Sequence, residues 1–247
     1  MSAFKRFVPA ALGCAAAAAA VAAGLAASGT ASAAPHAPAG HLAVAARQAP
    51  AGRQAPAGGQ APAARHGWTI THGGVVTAVA SSATVHDTTI GRNVSCFLSA
   101  MTIHARPGRL SSGADAATVN SASFAACATR HGFPVTVSLG ALPWHVNLAS
   151  YNARTGVTAG TLTGLHLAIS VPLLGCTAVA DGTAANAHNG LLAASYRNQT
   201  SVLSALPAGN RLRVYRVSHC DGLIKNGDAV TLSANYLIRP GQRITHS

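Results

Sequence analysis

The fold class of this chain is decided by residues 229–238, which read AVTLSANYLI. Alternate positions from Val230 to Ile238 are apolar, and the residues between them are mostly small or polar. Successive side chains of a strand point to opposite faces of its sheet. The spacing therefore predicts a strand that packs one face on a core and turns the other toward solvent, as strands of antiparallel sheets do.

The same alternation recurs in three further stretches, residues 133–139, 144–148 and 165–171. Turn-forming pairs such as Asn-Gly and Pro-Gly separate the runs. Residues 113–132 fit either a helix or a strand, and we favour a strand. The chain contains no glutamate, which is atypical of a helical protein. We predict an all-β fold, an antiparallel sandwich or barrel-like domain of roughly eight to twelve strands.

The N-terminus has the three parts of an export signal. Lys5 and Arg6 form a positive region, and residues 7–27 are mostly apolar. Ala-Ser-Ala at 31–33 then offers small residues to a signal peptidase. We predict that residues 1–33 are a cleaved signal peptide, that the protein is secreted, and that no transmembrane segment remains after cleavage.

Residues 34–66 form a predicted disordered linker. The six-residue repeat RQAPAG at 47–52 recurs at 53–58, and the segment is rich in Ala, Pro, Gly, Gln and Arg. Such repeats lack the bulky apolar residues that offset chain entropy on folding. A spacer that crosses a cell wall and tolerated low-complexity sequence explain the segment equally well. Residues 67–247 are long enough for a hydrophobic core, and we predict one β-rich domain there.

Four cysteines remain once the signal peptide is removed, namely Cys96, Cys127, Cys176 and Cys220. An even number in an exported chain predicts two disulfides that staple the domain. Pairing neighbours, 96 with 127 and 176 with 220, closes two loops of similar size, but the crossed pairings stay open. Period-two spacing puts Cys96 on one face with Val94 and Leu98, as expected for a core position.

Few residues are candidates for acid–base catalysis by carboxyl groups, because the chain has only five acidic residues and all are aspartates. Cys220 between His219 and Asp221 looks like a catalytic cluster, but a disulfide-bonded cysteine cannot act as a nucleophile. No Gly-x-Ser-x-Gly motif marks a nucleophilic serine. We therefore assign no catalytic residue. A secreted hydrolase stays as an alternative, and it requires an Asp and a Ser near one of four histidines: His86, His145, His166 or His219.

Ten of the twelve histidines lie beyond residue 65. Metal sites favour set spacings such as His-x-His on a strand or His-Glu-x-x-His on a helix. Neither pattern occurs, so we predict no metal ligand and no cofactor. His145 and His166 occupy the polar positions of their strands, and we expect both to face solvent.

Basic residues dominate the charge of the predicted domain. From Gly67 on, eleven arginines and one lysine oppose five aspartates, a net charge of +7. Arg211 and Arg213 alternate with apolar neighbours, so both should face solvent from one strand, with Arg216 nearby. This face predicts contact with acidic cell-wall polymers or another envelope component, and a solubilising surface is the simpler alternative. Nucleic acid is disfavoured, because only Tyr215 lies close enough to stack on bases.

One order of motifs carries a family resemblance. It consists of VSC at 94–96, SFAAC at 123–127, PW at 143–144, GC at 175–176, SYRNQTS at 195–201 and a last cysteine at 220. Over most of residues 68–244 this order resembles uncharacterised secreted β-domain proteins of high-GC Gram-positive bacteria. More remotely, it is similar to secreted proteins of the alkane-oxidation-activator type. That similarity implies a non-enzymatic role at hydrophobic interfaces, and neither resemblance transfers a binding residue.

These observations together predict a secreted, non-enzymatic β-domain with a binding or structural role at the cell envelope or extracellular surface. An extracellular carrier of an apolar ligand, or an interface-active protein, is the first alternative. A well-formed apolar cavity between sheets favours that alternative, and a solidly packed core speaks against it. The secreted hydrolase is the second. The sequence names no partner.

Overall fold

The structure is a computed structural model and describes residues 66–247. The predicted signal peptide and the linker up to residue 65 lie outside the described residues. Within them the chain forms fifteen strands and one 3-10 helix, η1, at Pro172–Leu174. The strands in chain order are β1 (Trp68–Thr71), β2 (Gly74–Ala80), β3 (Ala83–Asp87), β4 (Arg92–Ala105), β5 (Gly108–Leu110), β6 (Ala117–Thr129), β7 (Pro134–Leu139), β8 (Trp144–Asn152), β9 (Val157–Leu165), β10 (Leu167–Val171), β11 (Cys176–Asp181), β12 (Gly190–Arg197), β13 (Val202–Ser218), β14 (Ala229–Arg239) and β15 (Arg243–His246).

The all-β prediction is confirmed, and the strand count exceeds the predicted eight to twelve. Five strands have only three to five residues, namely β1, β3, β5, β10 and β15. Such short segments contain too few alternations to be recognised from sequence. The ambiguous segment 113–132 contains β6, as favoured from sequence.

Eight strands close into an antiparallel barrel. The ring of hydrogen-bonded neighbours runs β3, β4, β6, β7, β10, β11, β13, β14 and back to β3. Both disulfides lie in this ring, so we call it the disulfide barrel. Closure leaves no free sheet edge in the ring.

A second closed ring uses the other parts of the same long strands. It runs β2, β4, β6, β8, β9, β12, β13, β14 and back to β2, and we call it the second barrel. The strands β4, β6, β13 and β14 belong to both rings and have between eleven and seventeen residues. Each passes from one barrel into the other.

A separate three-stranded sheet covers the second barrel. β1 pairs with β15 on one side and with β5 on the other, which joins the two ends of the described chain. Ile70 of β1 and Ile244 of β15 line an apolar cavity of about 80 Å³ together with second-barrel residues such as Val76 and Ile103. The sheet therefore closes the second barrel with apolar side chains.

The strand predicted from residues 229–238 is β14. Its five alternate apolar residues from Val230 to Ile238 are all buried. They lie in the core of both barrels, because β14 pairs with β3 along its first half and with β2 along its second half.

The predicted face of β4 is wrong at one residue. Cys96 is buried, but Leu98 is 46% exposed and Phe97 is 76% exposed. Beyond this point the buried positions become Ser99, Met101 and Ile103. The phase of the alternation therefore changes where β4 passes from the disulfide barrel into the second barrel. The first residue of β3, Ala83, pairs with Cys96, and the last residue of β2, Ala80, pairs with Ser99.

The disulfides pair neighbouring cysteines. Cys96 of β4 is bonded to its cross-strand partner Cys127 of β6, and Cys176 of β11 is bonded to Cys220 just beyond β13. The predicted framework of two disulfides is confirmed, and the crossed pairings left open by the sequence are excluded. The bonds indicate an oxidising environment. No helix among residues 66–247 is long and apolar enough to cross a membrane.

Candidate functional site

A cavity lies at the end of the disulfide barrel that the three-stranded sheet does not cover. Its volume is about 330 Å³, at the lower end of the range for small-ligand sites. The turn between β3 and β4, the turn between β6 and β7, and the loop after β13 surround it. We call this cavity the mouth.

Aliphatic side chains form the wall of the mouth. They come from the inward faces of several strands and from two loops: Val85, Val94, Val135, Val137, Ile169, Val171, Ala178 and Val230 from the strands, and Ile90, Leu223 and Ile224 from the loops. The Cys176–Cys220 disulfide fixes the start of β11 beside this wall. Below the mouth the barrel is filled, since the next cavity, between Val137, Ile169 and Leu232, has only about 20 Å³. The mouth is therefore a shallow apolar site and not a channel.

One carboxyl group lies in the apolar wall. Asp87 is only 4% exposed, and its Oδ1 accepts the N–H groups of Thr89 and Ile90 at 2.8 and 3.1 Å. Its Oδ2 is buried and makes no hydrogen bond to any donor of the described residues. Asp228, 5% exposed, lies beside it and accepts the N–H of Lys225 at 2.7 Å.

The environment raises the pKa of Asp87. Burial raises the pKa of Asp87, the N–H groups of Ile90 and Thr89 oppose that shift, and the Asp228 carboxyl reinforces it. The net pKa lies above the ordinary value of 3.8. Because Oδ1 already accepts two N–H groups, the proton belongs on Oδ2, where it can be donated to Asp228.

Basic side chains lie at one side of the opening of the mouth, where β4 begins and β6 ends. Arg92 begins β4, and Arg130 and His131 form the turn after β6. All three are exposed. Arg92 is the cross-strand partner of Asp87, yet the Asp87 carboxyl is turned into the barrel. Within residues 66–247 the only ion pairs are two His–Asp contacts, so neither arginine is neutralised by a carboxylate.

A second polar cluster lies at the end of β11, outside the mouth. Asp181 is fully buried, and its two oxygens accept four hydrogen bonds: from Nδ1 of His166 at 2.8 Å and from the backbone N–H groups of Gly182, His188 and Asn189. The carboxylate therefore holds the loop between β11 and β12. Tyr215 fixes the same loop by donating to the Gly182 carbonyl at 2.9 Å.

The expectation that His166 faces solvent is wrong. The residue is 9% exposed, and a Cβ on Gly140 would lie 1.8 Å from its ring carbon Cδ2. The glycine therefore allows the imidazole to lie against the backbone and reach Asp181. Period-two spacing failed because His166 lies between two strands, in the single residue that separates β9 from β10.

The charge of Asp181 is stabilised by its partners. Burial alone would raise the pKa of this carboxyl, but the hydrogen bonds from His166 and the three backbone N–H groups lower it below 3.8 overall. Ligand atoms of His166, Asp181 and His188 lie within 4.8 Å of one another, so the three residues have the donor set of a metal site. Both Asp181 oxygens already accept two hydrogen bonds, however, and a cation would have to displace the His166 proton.

The cluster that a hydrolase requires does not form around the four candidate histidines. His145 contacts Asp115 at 2.8 Å and His166 contacts Asp181, but neither has a serine partner among its hydrogen bonds. His219 contacts only the neighbouring Ser218, and His86 contacts Asn93. Cys220 is oxidised, so it carries no thiol.

Arg211 and Arg213 are exposed on the same side of β13, with buried Leu212 between them. Nη1 of Arg213 donates to the Gly227 carbonyl at 2.9 Å. Arg216 is also exposed, but its positive φ of 53° breaks the alternation there. Contact of these arginines with an anionic polymer stays a prediction.

The sequence did not identify the residues of the mouth. Asp87 was visible as one of five aspartates and Val135 and Val137 as part of a strand, but nothing local joins them. The available signal was the clustering of turn residues with Arg92, Arg130 and His131 next to alternating valines. This clustering indicates a site only once the order of strands around the barrel shows that both turns lie at the same end.

No protein-family model, no curated protein and no solved structure matched this chain. The resemblance to secreted β-domain proteins and to alkane-oxidation activators therefore stays a prediction, and the function must be argued from the site itself.

Proposed function

We propose that this chain is a secreted, non-enzymatic binding protein that holds a small apolar ligand in the mouth of the disulfide barrel. One observation carries the proposal, the apolar cavity of about 330 Å³ at the uncovered end of that barrel. Burying an aliphatic group in such a wall is favourable by about 25 cal/mol per Å² of apolar surface removed from water. The sequence had offered this role as an alternative that a cavity would favour.

Three features support binding rather than catalysis at the mouth. The wall is aliphatic, its one carboxyl group is buried, and no histidine with an Asp and a Ser partner occurs among the described residues. A general acid or base needs hydrogen-bond reach to a substrate atom, whereas Asp87 is committed to its own turn and to Asp228. The predicted signal peptide and the two disulfides support an extracellular location.

Filling the cavity tests the proposal. Val137 projects into the mouth from β7, and Val137→Phe should lower the affinity for decanol at least tenfold, measured by calorimetric titration of the oxidised protein. The matched control is Val79→Phe, since Val79 is 45% exposed on β2 and lines no cavity. It should bind decanol as the wild type does. Equal binding by a folded Val137→Phe variant, or no binding by the wild type, would overturn the proposal.

A further inference from the structure

We infer that the mouth selects single-chain amphiphiles with an anionic headgroup, the chain inserted into the barrel and the head bound at Arg92 and Arg130. The inference rests on the proposed function and adds the class of ligand and its orientation. It joins the apolar wall to the basic side chains at the opening.

The volume of the mouth sets the size of the chain. A water-sized group occupies about 30 Å³, so a cavity of about 330 Å³ holds about ten such groups. The barrel is filled below Val137 and Ile169. A chain of about eight to twelve carbons therefore reaches the floor of the mouth while its head remains at the opening.

Charge decides the nature of the head. Arg92 and Arg130 line the opening from neighbouring turns at the paired ends of β4 and β6, with His131 beside them, and the described residues supply no carboxylate partner for either arginine. A guanidinium group binds carboxylate and phosphate oxygens through paired N–H donors. The only carboxyl in the lining, Asp87, is buried and does not compete for them. A cationic head would meet repulsion, and an uncharged head would leave the guanidinium groups hydrated.

Other acidic and basic groups near the mouth do not change this balance. Asp228 is buried beside Asp87, and Lys225 and the exposed Asp221 lie in the loop before β14. Lys225 is a further cation, and Asp221 lines no part of the cavity. The net charge at the opening is positive.

Head-group selectivity is measured with ligands of one chain length. Decanoate, decyl phosphate, decanol and decyltrimethylammonium are titrated into the oxidised full chain, below their micelle-forming concentrations. We expect at least one anion to bind about tenfold more tightly than decanol and the cation most weakly. The ratio of decanoate to decyl phosphate then distinguishes a carboxylate from a phosphate ligand. The preference for the anion should shrink at high salt, since the arginines are exposed.

The double variant Arg92→Gln with Arg130→Gln should lose most of the preference for the anion and keep the affinity for decanol. Arg154→Gln with Arg197→Gln is the matched control, since both are exposed arginines outside the mouth. It should bind all four ligands as the wild type does. Decanol binding without preference for an anion, or a preference that survives the Arg92 and Arg130 changes, overturns the head-group inference and leaves the cavity proposal standing. No binding by any of the four overturns both.

Discussion

The two barrels share four long strands and differ at their outer ends. The second barrel is closed by the sheet of β1, β5 and β15 and keeps a residual apolar cavity of about 80 Å³. The disulfide barrel lacks such a cover and opens into about 330 Å³. Both disulfides lie in the open barrel. A cavity forfeits packing that would otherwise stabilise the fold, and covalent links supply stability where packing is reduced.

The buried ionisable groups are also distributed unevenly between the two barrels. Asp87, Asp228 and Asp181 all belong to the disulfide barrel or its loops. The second barrel buries uncharged polar groups, such as Ser99 and Tyr236, whose hydroxyl groups bond at 2.9 Å. Burial raises the pKa of Tyr236, so its phenol stays neutral. The buried carboxyl groups with shifted pKa values, Asp87 and Asp181, therefore lie in the open barrel.

The largest expected effect comes from the disulfides. Removing Cys176–Cys220 by a double change to alanine should lower the free energy of unfolding by about 4 kcal/mol on the chain-entropy model. The bond closes a loop of 44 residues. Urea denaturation measures the loss. Amide exchange should accelerate in β7, β10 and β11 before β8, β9 and β12, because both ends of the bond lie in the disulfide barrel.

Reducing agent supplies the control for this prediction. Dithiothreitol should destabilise the wild type but leave unchanged a variant that lacks all four cysteines of the domain. A loss below about 1 kcal/mol would contradict the loop-entropy estimate. Exchange that accelerates equally in both barrels would contradict a stabilisation confined to the open barrel.

The second-largest effect on stability is expected from truncating two valines, one in each barrel. Val119 of β6 is 1% exposed and packs in the second barrel beside a cavity of about 30 Å³, whereas Val137 is half-buried and borders the mouth. Val119→Ala should cost about 2.5 kcal/mol, because it adds a void to a packed core. Val137→Ala should cost about 1 kcal/mol, since its methyl groups already face open space. Equal losses in thermal or urea unfolding would show that the two cores are packed alike.

The sequence predicted what depends on local periodicity. The alternation of residues 229–238, the strand within 113–132 and the even number of cysteines led to the all-β, two-disulfide fold, which is confirmed. The predictions of buried and exposed residues failed where the period-two alternation is interrupted. At Phe97 and Leu98 the long strand β4 passes between barrels. At His166 one residue separates two strands.

The mouth could not be predicted from the sequence, for a different reason. Its wall combines β3, β4, β7, β10, β11 and β14 with two turns and a loop. Their adjacency follows from the order of strands around the barrel, and period-two patterns do not fix that order. A closed ring also makes neighbours of strands far apart in sequence, as when β3 pairs with β14. Nothing in the sequence therefore brings Arg92 and Arg130 together with the wall.

The smallest expected effect is on the pH dependence of the unfolding free energy, which should differ between the two barrels. Because the folded pKa of Asp87 is raised, its contribution to stability is fully present below about 3.8 and is lost as pH rises through the folded value. Asp181 has a lowered pKa and acts in the opposite direction, at pH below 3.8, so the two windows do not overlap. Asp87→Asn replaces the titrating Oδ2 with an amide that donates to Asp228 at every pH.

The asparagine variant should match the wild type below about pH 4 and exceed its unfolding free energy by about 1 kcal/mol once the pH has risen through the folded pKa of Asp87. Urea unfolding from pH 4 to 8 gives the difference, and subtracting the two curves removes the histidines common to both. Ser99→Ala in the second barrel is the control, since its curve should run parallel to that of the wild type. If the Asp87→Asn curve also runs parallel, the carboxyl pair shares no proton, and the open barrel is no more sensitive to pH than the closed one.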